Sequence, residues 1–501
     1  MRRLASLAVL LALAGCGSTV QLGVGAPSAV VDGLGSPLSS SPDQGASEAG
    51  AAVGGQGSRA SSASLPPASP GEVGANLGAA QDPGTPGSSV ASPITLKGIT
   101  PTTVSVGISW TDTAAVNAAV SGTGASDSKA GDMLAEQRAI AKWMNAHGGI
   151  AGRKIALVEH QNNINDDSST AAQKMCANWT EDHHVVAGLG VYAASTAVTG
   201  VACLAKHKTL AIGSSYDVGS QRHFDMFRPY YYAPASMEMA AVGKSYAQGL
   251  VTQGFFTKKA KIGVLVYDSP EFHDGVTNGL SPALKAAGLS ITDLTWIQPP
   301  SALSDEGRLV ANIQSAALKY RSDGITHVLF LDGNSSITYF FIQQAKSQGY
   351  RPSYGFSSLS YPSFVDSNFN ADDLRGSLGV GWQPTQDVDV PYLPANPARS
   401  LCQTIMKESG QQAVAQTDLT VQLIFCSQFF LLKQALEKAP SLSPEGFLAG
   451  VAALGRTNAT AAAGTIDSYS ASKLWGSSDY RFLRYVEACS CFQYYGPARP
   501  I

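Results

Sequence analysis

The chain has 501 residues, more than one ordinary domain holds, with 34 lysines and arginines against 37 aspartates and glutamates. A net charge of −3 with no basic patch argues against nucleic acid as a partner, because phosphates need clustered lysine and arginine to displace their counterions. Composition also divides the chain: from Gly17 to about Pro93 it is Gly, Ser, Ala and Pro with scattered acids and no aromatic residue. Such material cannot bury enough apolar area to offset chain entropy.

The N-terminus, MRRLASLAVLLALAGC, sets Arg2 and Arg3 before an apolar run of roughly a dozen residues, too short to span a bilayer as a helix. It reads as a signal peptide over 1–15. The small residues before Cys16 resemble the bacterial lipobox, which implies lipidation of Cys16 as the new N-terminus. Residues 16–95 then form a disordered tether with an r.m.s. reach of roughly 45 to 55 Å. The membrane becomes a partner through the lipid anchor only.

Beyond the tether, alternation predicts a strand over 104–109 and a polar loop over 110–129. The stretch 133–160 organises the rest of the chain. Met133, Ala139, Ile140, Trp143 and Met144 recur at helical spacing, and Gly148-Gly149 ends the helix where glycine takes positive φ cheaply. The apolar run 155–160 predicts a parallel strand covered on both faces, half of a βαβ unit. Next come a helix over 168–179, a strand over 184–191, a helix over 196–207 and a strand over 209–213. The pattern repeats with helices over 237–253, 275–287, 309–321 and 337–348, alternating with strands over 261–267, 290–296, 327–331 and 354–356. This alternation implies two α/β lobes, each a parallel sheet with helices on both faces. After Leu378, helices over 419–437 and 443–454 and a strand over 480–486 must return to one or both lobes.

Six cysteines remain after the signal: Cys176, Cys203, Cys402, Cys426, Cys489 and Cys491. An even count in an exported chain suggests disulfides. Proximity favours Cys176 with Cys203 and Cys402 with Cys426, each bridge worth about 3 kcal/mol in the chain-entropy picture. A bond between Cys489 and Cys491 needs an irregular backbone, since an extended strand holds their α-carbons about 6.6 Å apart. The alternative, a zinc site, has no CxxC pair or spaced histidine beside it. No metal or cofactor is expected.

The order VSVGIS, a polar loop, GDM, a helix ending in NAHGGIAGRKI, then DDSSTAAQKMC, GLGVYAAST and IGSSYD resembles the type I periplasmic binding proteins. The likeness is to the branch binding leucine, isoleucine and valine, or amides and urea, for ABC transporters, and it covers about residues 102–490. It implies an α/β fold of two Rossmann-like lobes with parallel sheets, joined by a three-crossing hinge with the ligand cleft between them. Lobe 1 would comprise 96–232 with 378–470, and lobe 2 would comprise 233–377 with 471–501. A cysteine pair at the positions of Cys176 and Cys203 also recurs in the family.

In open α/β sheets ligands sit beyond the carboxyl ends of the strands, where helix N-termini offer free N–H groups. The turn Tyr192-Ala193-Ala194-Ser195-Thr196 opens a helix there, with Ser195 either holding ligand or only capping. Ser214, Ser215, Tyr216 and Asp217 form a second polar rim on that edge. The resemblance places both turns against ligand and adds Phe272, Asn334, Ser335, Ser357 and Ser358 from the second lobe. Trp110 either caps the cleft or packs in the core, and Tyr230, Tyr231 and Tyr232 suit hinge packing. Two departures put an α-amino acid in doubt: FSSLSYPS carries no carboxylate for an ammonium, and Ala193 stands where a hydroxyl is expected. Asp217 or Asp332 could supply that charge, although loop aspartates are more often solvated.

The sequence has no HExxH, GxSxG, P-loop or GxGxxG motif, and His183-His184 lacks a second ligand pair. The expectation is therefore not an enzyme but a monomeric, extracytoplasmic solute-binding lipoprotein that serves an ABC permease. A ligand sensor without transport and a structural cell-envelope protein are the alternatives.

Overall fold

A computed structural model describes residues 96–120, 129–190, 194–301, 305–458, 460–464 and 466–501. The expected signal peptide, Cys16 and tether lie outside the described residues, as do Tyr192, Ala193 and the side chains of Ser195 and Thr196.

Strands β1 (Thr103–Trp110), β2 (Lys154–Gln161), β3 (Ala187–Leu189), β4 (Leu210–Ile212) and β5 (Tyr231–Tyr232) form a parallel sheet in the order β2-β1-β3-β4-β5. The helix Met133–Ala146 connects β1 to β2, and Asp132 caps it by accepting from the Leu134 and Ala135 amides. Three sequence expectations change here. The loop after Trp110 contains a helix, Thr113–Val120. β2 is an edge strand with only Ile155 buried, so its apolar run is not covered on both faces. Tyr231 and Tyr232 extend the first sheet as its last strand, with both rings buried.

The second sheet is larger. β6 (Ile262–Tyr267), β7 (Ile291–Ile297), β8 (His327–Leu331), β9 (Ser353–Ser357) and β10 (Leu378–Gly381) run parallel. β6 and β8 are buried along their whole length, and each large apolar side chain there contributes roughly 1.5 to 3 kcal/mol. After a small antiparallel pair, β11 (Arg456–Thr457) with β12 (Asp467–Ser468), the chain re-enters the second sheet. There β13 (Asp479–Val486) and β14 (Cys491–Pro500) form an antiparallel hairpin against β10, in the order β14-β13-β10-β9-β8-β6-β7. Residues 378–381, assigned from sequence to lobe 1, therefore belong to the second sheet. Four residues with two glycines carry too weak an alternation to announce a strand, and β14 was missed because Gly496, Pro497 and Pro500 interrupt its pattern.

The late helices Pro397–Glu408, Gln416–Lys438 and Pro444–Ala452 return to the first lobe, the first two packing on the helix Met133–Ala146. Gln416–Lys438 is long and apolar enough to cross a membrane, yet most of it is buried inside the fold. At its centre the Gln428 amide donates to the carbonyls of Gly190, Ile212 and Gly213, fixing it to the ends of β3 and β4. Nearer its start lies a buried acid pair. Glu136 accepts from Gln422 at 2.9 Å and meets Asp418, which accepts from the amides of Gly131 and Val414. Burial first, and then the hydrogen bond with Asp418, push the Glu136 carboxyl up to about 9.

The chain passes between the sheets near residues 233–238, 382–396 and 469–478. The first and third passages hydrogen-bond to each other through Ala233 with Leu474 and Gly476, and through Ser236 with Ser477. Lys473 holds the third: its ammonium donates to the carbonyls of Ser468, Trp475, Gly476 and Ser477 and lies 3.7 Å from the Trp475 ring centroid.

Disulfides join Cys176 to Cys203, Cys402 to Cys426 and Cys489 to Cys491. The last sits in the turn between β13 and β14, where Ser490 takes φ 51° and the α-carbons come within 5.2 Å. That is the irregular backbone the spacing required.

Candidate functional site

The carboxyl ends of β4, β8, β9 and β10 converge where the lobes meet. In each lobe a glycine at a strand end admits a buried aspartate. A Cβ at Gly213 or at Gly381 would collide with the carboxylate of Asp217 or Asp387 respectively. Asp217 accepts from the Ser214 hydroxyl at 2.8 Å and the Tyr231 hydroxyl at 2.9 Å, while its own carbonyl accepts from Ser236. Asp387 accepts from the Ser358 hydroxyl, the Gln383 amide N–H and the Tyr494 hydroxyl. These turns are rigid because their acids bond inward. Gly213→Ala is expected to cost about 1 to 3 kcal/mol, read as a lower unfolding midpoint, because a new methyl must displace a bonded, buried carboxylate.

Across the junction, Tyr216 stacks on Tyr361 with ring centroids 5.7 Å apart and planes 14° from parallel. Gln383 donates its side-chain amide to the Ser215 carbonyl at 2.5 Å. Both tyrosines are buried, which pushes their hydroxyls upward in pKa and keeps them neutral donors. Several buried polar atoms on the strand-end turns of this junction lack hydrogen-bond partners among the described residues: the hydroxyls of Ser335, Ser357 and Ser360, the Gln383 side-chain oxygen and the Trp382 indole N–H, while Gln386 faces the Tyr216 hydroxyl. One oxygen each of Asp332 and Asp387 joins them, and burial lifts both carboxyls to about 7. Buried polar groups are rarely left unpaired in folded proteins, which makes this junction the candidate site.

The sequence-derived residues divide on this geometry. Ser335, in the left-handed region at φ 65° and fully buried, stands in the cluster with Tyr216 and Ser215. Ser214, Asp217 and Ser358 serve the inward networks of the turns. Asn334 is likewise engaged, accepting from the Tyr267 hydroxyl at 3.1 Å and the Ser336 amide at 3.2 Å. Phe272 is core, edge-on to Tyr267. Trp110 is half-buried against the core at the end of β1. Asp332 is not solvated but buried, accepting from the Thr338 amide and hydroxyl at 3.0 Å. Sequence reading missed Tyr361, Trp382, Gln383, Gln386 and Asp387. The available signal was the polar run WQPTQD after LGVG, which marks another strand end on the same edge. Among the described residues no group of three or more His, Cys, Asp or Glu could hold a metal ion.

This arrangement of two α/β lobes around a junction of strand ends is shared with known proteins. The periplasmic binding protein family matches residues 113–488, and the chain belongs to that family. It is of type I, with the α/β fold and parallel sheets of that class. An ABC transporter substrate-binding protein from Desulfitobacterium hafniense in complex with Leu aligns over 78% of this chain and 100% of its own, at 13% identity and TM-score 0.53. A fatty acid ABC transporter substrate-binding protein from Thermomonospora curvata aligns over 81% and 94%, at 16% identity and TM-score 0.55. A branched chain amino acid ABC transporter protein from Thermus thermophilus with bound valine aligns over 80% and 96%, at 13% identity and TM-score 0.55. At these identities the likeness carries the fold. No curated protein matches the chain.

Proposed function

We propose that this substrate-binding protein of the ABC transporter type is an exported lipoprotein, anchored through Cys16 and carried on the tether 16–95, that captures a small polar solute between its lobes and delivers it to a membrane permease. Lobe 1 then comprises 96–232 with 382–470, and lobe 2 comprises 233–381 with 471–501. It works as a monomer without catalysis or cofactor. The observation that carries the reading is the cluster of buried, unpartnered polar groups at the lobe junction. A contact made from both lobes, such as Tyr216 with Tyr361, exists only when the lobes are together, so a solute that completes this cluster favours closure.

The chemistry of the cluster favours a neutral head group. Its members are hydroxyls, amides, an indole N–H and two carboxyls lifted toward neutrality, and none pairs with lysine or arginine among the described residues. An amide or related neutral solute satisfies such donors and acceptors, whereas the ammonium of an α-amino acid meets no carboxylate of ordinary pKa there. The test is a melting-temperature panel of aliphatic amides, urea and polyols beside leucine, valine and short fatty acids. A ligand at 100 times its Kd adds about 2.7 kcal/mol, enough to move the transition measurably. A shift with neutral solutes supports the reading. A shift only with amino acids would remove the neutral preference while leaving capture intact, and silence across the panel would count against capture.

A further inference from the structure

The bridge between Cys489 and Cys491 pairs an exposed cysteine, Cys489, with a buried one, Cys491, and closes the shortest loop of the three. Cys489 is exposed at the hairpin tip, whereas Cys402, Cys426 and Cys176 are fully buried and Cys203 is half-buried. The attacking thiolate needs an open line to one sulfur, and the tip provides it. The two buried bridges tie separate helices across sequence separations of 27 and 24, so opening them releases long loops. The tip bridge spans a separation of 2, and the ladder from Asp479–Pro500 to Val486–Cys491 holds the hairpin without it. It also closes over Ser490, a non-glycine residue in the left-handed region, so opening releases a disfavoured turn.

The surroundings fit the chemistry. The Gln493 side-chain amide points its N–H at both sulfurs, 3.5 Å from Cys489 Sγ and 3.7 Å from Cys491 Sγ. The Val486 carbonyl lies 3.4 Å from Cys489 Sγ, placed to accept a thiol proton once the bond opens. We propose that Cys489–Cys491 is a thiol–disulfide exchange site for an external dithiol, with Gln493 as its positioning residue, while the other two bridges stay closed. A thiolate of the dithiol attacks Cys489 Sγ, forming a mixed disulfide and expelling Cys491 as a thiolate beside the Gln493 amide. The second thiol of the dithiol then displaces Cys489. Two electrons and two protons pass to the protein, leaving two cysteine thiols and an oxidised dithiol.

The experiment titrates the full chain with dithiothreitol, quenches by alkylation and maps labelled peptides. Cys489 and Cys491 are expected to label at a concentration roughly tenfold or more below that which labels the other four. Gln493→Leu is expected to slow opening severalfold at unchanged melting temperature. In Cys489→Ser/Cys491→Ser the low-concentration dithiol consumption disappears. Opening of either buried bridge first, or of all three in parallel, overturns the proposal, and an unchanged opening rate in Gln493→Leu overturns the positioning role.

Discussion

Glu136→Gln is expected to raise the stability of the protein at pH 7.5 by about 2 to 4 kcal/mol and to flatten its decline toward alkaline pH. The carboxyl is buried between the helices Met133–Ala146 and Gln416–Lys438, with one oxygen unpartnered and Asp418 beside the other. In the unfolded chain it ionises near its ordinary value of 4.5, and in the folded chain near 9. The folded pKa is raised, so its contribution is fully present below pH 4.5 and is lost progressively as pH rises to about 9. Glutamine keeps a donor for Asp418 at the cost of the bond accepted from Gln422, and it carries no charge to bury, so the variant avoids the larger loss. Urea unfolding at pH 5, 7 and 9 checks this: the two proteins should nearly coincide at pH 5 and diverge above it. A variant less stable than wild type at pH 8, or with the same pH slope, would contradict it.

Lys473→Met should act in the opposite direction, lowering stability by about 2 to 4 kcal/mol in urea unfolding at pH 6. The three N–H groups of the ammonium are shared among the carbonyls of Ser468, Trp475, Gly476 and Ser477, and methionine offers none. Burial holds Lys473 below the usual lysine range and Asp467 above the usual carboxylate range, and each charge steadies the other. Removing the lysine takes a donor from these carbonyls and the counter-charge from Asp467, which keeps the Thr460 and Tyr469 hydroxyls. The passage also pairs with Ala233 and Ser236 of the first, so the same variant should loosen both strands of the hinge. Faster exchange of the Ala233, Gly476 and Ser477 amides would register it, and unchanged stability with unchanged exchange would show that Lys473 is dispensable there.

What could be read in the sequence is what period and punctuation encode. The helix Met133–Ala146 and the strands β1, β6 and β8 were legible because their apolar residues recur at one spacing and glycine or polar turns bound them. β10 and β14 were not, since pairing with β9 and β13 stabilises them rather than their own pattern. The candidate site divides in the same way. Turns after β4, β8 and β9 were visible as polar runs behind apolar strands. Which side chain in each turn bonds inward and which is left open depends on three-dimensional neighbours: Asp217 is occupied by Tyr231, and Ser358 by an aspartate 29 residues later. Nothing local in the chain distinguishes Ser358 from Ser357 or Ser360, yet only the last two retain unpartnered hydroxyls.

The central claim, that the polar cluster between the lobes receives the solute, is tested most directly by calorimetric titration of the solute found in the panel against wild type and Gln386→Leu. The Gln386 side chain reaches only the Tyr216 hydroxyl, so the substitution removes little that the fold uses. The expected result is saturable binding to wild type and at least tenfold weaker binding to the variant at similar stability, the order of one or two lost buried hydrogen bonds. Equal affinity in the two proteins would place the solute elsewhere and contradict the account.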